Sequence, residues 1–224
     1  MEICVHGVQA PARSTSEKEI FMAVQDFESA LQKRRSIYAL GNTSPISDEE
    51  IVSLVKETVK HVPSAFNNQS ARAVVLFGDA SQKLWSIVLE TLRKVVPAES
   101  FKSTEDKIAS FAAGHGTILY FDDTEITEGL KKQFALYADN FSPWAEQANG
   151  MAQHAVWVAL AQVGLGASLQ HYNPLIDDEV KAAFGLPDTW RLRAQMPFGA
   201  IAAPAGEKDF APIDERVKVF GLND

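Results

Sequence analysis

Between Trp144 and Val163 the chain runs for roughly five helical turns with apolar residues on most of its circumference. Met151, Ala155, Val158, Ala159 and Gln162 fall on one side, with Ala152, Val156 and Leu160 beside them. A helix this apolar must be surrounded by protein, so it predicts a central element with the other segments layered around it. Its small residues allow close helix packing, including packing across a dimer. His154 on this helix reads as a satisfied core or interface histidine rather than a metal ligand. Gly164-Leu165-Gly166 ends the helix by the usual C-terminal glycine logic. It is no dinucleotide fingerprint, because the third glycine and the following helix are absent.

The flanking segments supply the layers. A first short helix around Phe27, Ala30 and Leu31 runs into three cations, Lys33-Arg34-Arg35, followed by Ser36. Ser47 and Glu50 form a capping box that opens a second helix, with Ile51, Leu54, Val55, Val59 and Val62 at helical spacing. Pro63 ends it. A polar loop, Pro63 to Arg72, leads into an apolar strand, Ala73 to Phe77. The loop is either a turn satisfying its own backbone or a ligand surface made of amides and hydroxyls. Next come a helix with Leu84, Ile87, Val88, Leu92 and Val95, closed by Pro97, and a shorter helix over 98–112. Trp85 beside the first of these stripes is expected in the core. Gly114-His115-Gly116, with His115 as a turn residue, precedes a strand from Thr117 to Phe121. Asp122 and Asp123 read as solvated turn charges, and Thr124 as the cap of a helix reaching Tyr137. After the central helix come a short strand (Ala167 to Gln170), a helix (Asp177 to Phe184) and a strand (Arg191 to Pro197). A Pro/Ala/Gly-rich arm over 199–212 and an edge strand from Arg216 to Phe220 close the chain. Residues 1–25 read as a flexible leader and 26–224 as a single α+β domain, its sheet covered by helices.

Composition narrows the classes of function. The net charge of −8 over 224 residues argues against nucleic acid or an anionic membrane as the main partner, though a local basic pocket remains compatible. One cysteine, Cys4, excludes an intrachain disulfide and a multi-cysteine metal site, and makes a reducing cytoplasm the default compartment. The Asp pair lacks converging His or Glu at metal-ligand spacing, and no Ser/His/Asp or Cys/His arrangement stands out. The three consecutive cations are either helix-end charges or an anion clamp, since paired guanidinium groups match phosphate oxygens.

Four separated segments then fall into one order: Arg34-Arg35-Ser36; Pro63-Ser64-x-x-Asn67-x-Gln69 before a strand; Gly164-x-Gly166-Ala-Ser after a long apolar helix; and Pro197-Phe198-Gly199 at a late strand end. Together they resemble the flavin-dependent nitroreductase family over nearly all of residues 26–221. The run Gln170-His171-Tyr172-Asn173-Pro174 is similar to the fatty-acid-repression-mutant-like branch found in fungi and bacteria. The resemblance implies a nitroreductase-like fold with a central, mostly antiparallel sheet and a C-terminal arm exchanged across a homodimer. It also implies FMN in a groove at the subunit interface. Arg34, Arg35 and Ser36 would hold the phosphate and ribityl chain from one subunit. Pro63, Ser64, Ala65, Asn67 and Gln69 would reach the flavin from the other. Gln170, His171 and Tyr172 would lie beside the ring, with backbone N–H groups toward its reactive nitrogen. Many relatives grip the phosphate again with a Lys-x-Arg pair; here Lys208 is kept and Phe210 stands where the Arg would be.

The function this implies is an oxidoreductase carrying a hydride from NADH or NADPH, through FMN, to nitroaromatics, quinones or similar acceptors. The cofactor carries the chemistry, so no catalytic side chain is expected. The alternative is an FMN-binding regulator or sensor linked to lipid metabolism or stress, with little turnover.

Overall fold

The computed structural model describes residues 27–222. The expected leader, residues 1–25, lies outside them. The elements in chain order are α1 (27–33), β1 (Leu40–Gly41), α2 (Asp48–Lys60), β2 (Ala71–Phe77), α3 (Gly78–Arg93), α4 (Phe101–Ala112) and β3 (Gly116–Asp123). They continue with α5 (Thr124–Gln133), α6 (Ala138–Gln162), β4 (Gly166–Ala167), α7 (Asp177–Phe184), β5 (Trp190–Ile201) and α8 (Ile213–Arg216).

The sheet order is β1-β5-β3-β2, with β4 also on β5, and every ladder is antiparallel. β3 is buried along its whole length because helices cover both faces. Ile118 and Tyr120 point to one face, where they meet Ile51 and Val55 of α2 and Val156 and Leu160 of α6. Leu119 and Phe121 point to the other and meet Leu84, Trp85 and Val88 of α3, Phe111 of α4 and Val180 of α7. The β3–β5 register pairs Tyr120 with Ala194 but Phe121 with Leu192, leaving Arg193 as the extra residue of a bulge. The bulge lets Leu192 and Ala194 enter opposite cores, which an unbroken period of two would forbid.

Several expectations hold. The Ser47/Glu50 capping box is formed in both directions, at 3.2 and 2.8 Å. Trp85 is buried, and its indole N–H donates to Thr117 Oγ1 at 2.9 Å. His115 occupies the turn before β3 and holds two elements together, through the Asn42 carbonyl at 3.0 Å and Asp48 Oδ1 at 2.6 Å.

Others are corrected. Asp122 and Asp123 are not solvated: Asp122 is 1% exposed, and both belong to β3. Neighbouring strands bring a cation to each, Arg191 Nη2 at 3.5 Å from Asp122 and Arg72 Nη2 at 3.0 Å from Asp123. Asp123, not Thr124, caps α5, accepting the Glu125 N–H at 3.3 Å. α6 starts six residues before Trp144, because Pro143 falls in its second turn instead of marking its boundary. His154 is exposed in this chain, so it is not a core histidine. No strand forms over Arg216–Phe220; Arg216 ends a helical turn closed by the Val217 N–H on the Ile213 carbonyl at 2.9 Å, and 217–222 are exposed and pair with no strand among the described residues. Alternating side chains do not make a strand where no neighbour supplies hydrogen bonds.

Candidate functional site

Arg34, Arg35 and Ser36 leave α1 and are pinned beside β4. Ser36 bridges Ala167, and the Ile37 N–H donates to the Ala167 carbonyl at 2.9 Å. The arm after β5 folds back over them, held by the Ala202 N–H on the Ala39 carbonyl (3.0 Å) and by Arg35 Nη2 on the Gly206 carbonyl (2.7 Å). The result is a cavity of about 450 Å³ lined by Arg34, Arg35, Ser36, Gly206 and Lys208 among others. Lys208 therefore joins the clamp although it lies 172 positions beyond Ser36 in the chain. The Phe210 ring lies 5.0 Å from the Lys208 ammonium, so the residue in the Arg position holds the lysine by a cation–π contact.

In an acidic protein these cations stand out. Arg34, Arg35 and Lys208 have no carboxylate within ion-pair distance among the described residues. Arg34 lies over the Trp157 ring of α6 at 4.4 Å. Burial, and then the neighbouring charge of Arg35, hold the Arg34 guanidinium below its usual pKa. Arg34 Nε and Trp157 Nε1 are both buried donors with no partner among the described residues. Arg34 is thus a partly desolvated cation, beside a half-buried Arg35 and an exposed Lys208.

The second group continues from β4. Gln170 exchanges backbone hydrogen bonds with Gln195 of β5 at 2.7 and 2.9 Å and donates from Nε2 to Ser168 Oγ at 3.0 Å. It is three extended residues, about 10 Å, beyond the clamp at Ala167. Gln195 is fully buried; its Oε1 accepts the Tyr172 N–H at 2.8 Å, and its Nε2 donates to Asn173 Oδ1 at 3.3 Å. The Tyr172 N–H is thus occupied, while the His171 N–H has no partner among the described residues. The His171 side chain is exposed. Burial pushes the Tyr172 phenol up to about 12, and its ring stands edge-on to Trp85 at 6.1 Å. Sequence reasoning missed Gln195 and Trp157. A lone amide in the apolar stretch of β5 was the available signal for the first; nothing separated Trp157 from the other apolar residues of α6.

The third group, Pro63 to Gln69, forms the self-satisfied turn foreseen as one of its two readings. Ser64 Oγ accepts the Gln69 N–H at 2.9 Å and Asn68 Oδ1 accepts the Ser70 N–H at 3.0 Å, so these side chains satisfy the turn. Phe66, Asn67 and Gln69 have φ of 58°, 50° and 51°, a left-handed backbone that non-glycine residues seldom adopt. The Asn67 and Gln69 side chains are exposed and make no hydrogen bond among the described residues. The Phe66 ring packs on Phe134, Phe141 and Trp144 at centroid distances of 4.9, 5.4 and 6.2 Å. This anchors the loop at the opposite end of α6 from the clamp. Trp144 and Trp157 are 13 residues apart, about 20 Å along the helix. Within one chain the structure unites Arg34, Arg35, Ser36 and Lys208, sets Gln170 to Tyr172 on the adjoining segment, and leaves Pro63, Ser64, Ala65, Asn67 and Gln69 remote.

The chain belongs to the nitroreductase family, whose sequence profile matches residues 31–200, and this family and the fold make it an oxidoreductase of the nitroreductase type. Within it the chain falls in the fatty-acid-repression-mutant-like branch. It is 36% identical to HBN1 of Saccharomyces cerevisiae over 200 residues, covering 88% of this chain and 98% of HBN1. It is 32% identical to the nitroreductase FRM2 of the same yeast over 199 residues, covering 87% and 97%. Among solved structures it is similar to nitroreductase CinD from Lactococcus lactis in complex with chloramphenicol, at 46% identity and a TM-score of 0.79, covering 87% of this chain and all of that one. CinD is also known in complex with nicotinic acid and with 4-nitrophenol. A Desulfovibrio desulfuricans protein at 22% identity and a TM-score of 0.63 shares the fold and is in complex with FMN, the alignment covering 88% of this chain and 97% of that one.

Proposed function

We propose that this protein is a cytoplasmic, homodimeric FMN oxidoreductase that oxidises NADH or NADPH and reduces nitroaromatics, quinones or similar acceptors. The observation that carries the reading is the cavity where Arg34, Arg35 and Lys208 converge with no ion pair among the described residues, outnumbering the single acidic lining residue, Glu207. Its chemistry fits FMN: guanidinium and ammonium groups for a phosphate, the Ser36 hydroxyl for the ribityl chain, and the adjoining Gln170–Tyr172 segment for a ring edge. The FMN bound by a fold neighbour supports the same choice.

When bound, FMN would supply the two-electron chemistry linking a nicotinamide donor to the acceptor. The protein's part is to hold and orient. Arg34, Arg35 and Lys208 neutralise a dianion, and the His171 N–H is the free backbone donor for the ring. No side chain is needed to move a proton.

The separation of about 20 Å between clamp and loop supports a dimer, in which the loop of one copy reaches the clamp of the other. Two copies related by a twofold axis across α6 run antiparallel, which sets the Asn67 and Gln69 end of one beside the Arg34 end of the other. A groove of about 700 Å³ lined by Leu54, Val62, Met151, Ala155 and Ala159 gives this axis an apolar surface. Exposed Phe210, Val217, Val219 and Phe220 give the arm a reason to cross to the partner. The aromatic ligands of CinD support a planar acceptor. The test is an absorption spectrum and solution mass of purified protein, followed by anaerobic addition of each nicotinamide. Flavin absorbance, a dimer mass, bleaching by NADH or NADPH, and recovery on adding a quinone or 4-nitrophenol are expected. A colourless monomer that retains no flavin after incubation with FMN and removal of the excess overturns it.

A further inference from the structure

We propose that Trp157 is a positioning residue for the anion clamp, its indole face serving as the platform that fixes the Arg34 guanidinium for a phosphate; this rests on the FMN reading above. Among the described residues no other side-chain contact orients Arg34. It makes no side-chain hydrogen bond and no ion pair among the described residues, yet its Nε is buried and its guanidinium carbon sits 4.4 Å from the Trp157 ring centroid. The neighbouring Arg35 differs, being tethered by the Gly206 carbonyl at 2.7 Å. The clamp therefore orients its two arginines by separate devices, a backbone acceptor from the arm for one and an aromatic face from α6 for the other.

Chemistry favours this division. A guanidinium that stacks on a ring keeps its in-plane N–H donors free for a phosphate, whereas a carboxylate partner would consume them. The ring also stiffens a long side chain before the ligand arrives, reducing the ordering cost of binding. Because Trp157 lies on α6 while Arg34 follows α1, the stacking also ties the clamp to the central helix.

The prediction separates phosphate from ring. Trp157→Leu should weaken FMN binding about threefold to tenfold, the range of a partly exposed cation–π contact, while riboflavin binding stays unchanged. Trp157→Phe should restore most of the loss. Arg34→Lys, which keeps the charge but not the planar group, should resemble Trp157→Leu. In an Arg34→Ala background, Trp157→Leu should have no further effect on FMN. The measurement is titration of flavin-free protein with FMN and with riboflavin, with thermal unfolding recorded beside it. Equal losses for both flavins, or an undiminished Trp157 effect without Arg34, overturn the inference. If Trp157→Leu does not fold, Trp157→Phe and Arg34→Lys decide, and near-wild-type FMN affinity in Arg34→Lys overturns it. Failure of the wild-type protein to bind FMN would instead overturn the functional reading.

Discussion

Gln195, buried in the middle of β5, accepts the Tyr172 N–H at 2.8 Å on its side-chain oxygen, while its backbone pairs in both directions with Gln170. One residue thereby fixes both ends of the segment that contains His171. Gln195→Leu keeps the volume approximately and strands the Tyr172 N–H. A loss of about 1–3 kcal/mol in stability is expected, the cost of an unsatisfied buried donor, readable by urea unfolding. Flavin reduction should slow as well, because the His171 N–H loses its fixed direction. Unchanged stability and unchanged reduction rate would show that the segment is held by its backbone alone.

Arg35 tests the clamp. Its removal takes a charge-assisted contact from the anion and the Gly206 tether from the arm. Arg35→Ala should weaken FMN by about 1.5–3 kcal/mol, measured by flavin fluorescence titration. Lys208→Ala should weaken it less, since its ammonium is a single point charge on an exposed arm. Equal affinity in wild-type and Arg35→Ala protein would remove Arg35 from the site.

Asn67 separates side chain from backbone. Its φ of 50° suits glycine better than alanine, which pays roughly 1–2 kcal/mol in the left-handed region. Asn67→Ala and Asn67→Gly should both weaken FMN, because both lose the free amide, while only Asn67→Ala should also lose stability. If Asn67→Gly binds FMN as well as wild type, the loop acts through its backbone and the amide has no ligand.

His115 gives a pH dependence of known sign. Burial pulls its imidazole down, but hydrogen bonds to the Asn42 carbonyl and the Asp48 carboxylate more than offset this, leaving the folded pKa above the ordinary value of 6.5. A raised folded pKa contributes stability that is fully present below the unfolded pKa and disappears as pH rises through the folded one. His115→Gln should therefore lose more stability at about pH 5.5 than at about pH 8.5, by thermal or urea unfolding. A difference independent of pH would mean that the neutral ring does the holding.

Local chemistry was legible in the chain: the Ser47/Glu50 cap, the apolar stripes of α2 and α3, the glycine that ends α6 and the cations after α1 each depend on neighbours a few residues away. The same locality explains the misreadings. Asp122 and Asp123 look like solvated turn charges until Arg191 and Arg72 arrive from other strands, and Val217 and Val219 alternate like a strand that no neighbour among the described residues supports. Gln195 and Trp157 carry no local mark of their roles, because a buried amide or a stacked indole is defined by what packs on it. Sequence order alone fixed which residue types could meet a phosphate. Only the tertiary structure decided that Arg34, Arg35 and Lys208 share one cavity while the Asn67 loop stands at the far end of α6, because spatial convergence depends on sheet register and helix length rather than on residue type.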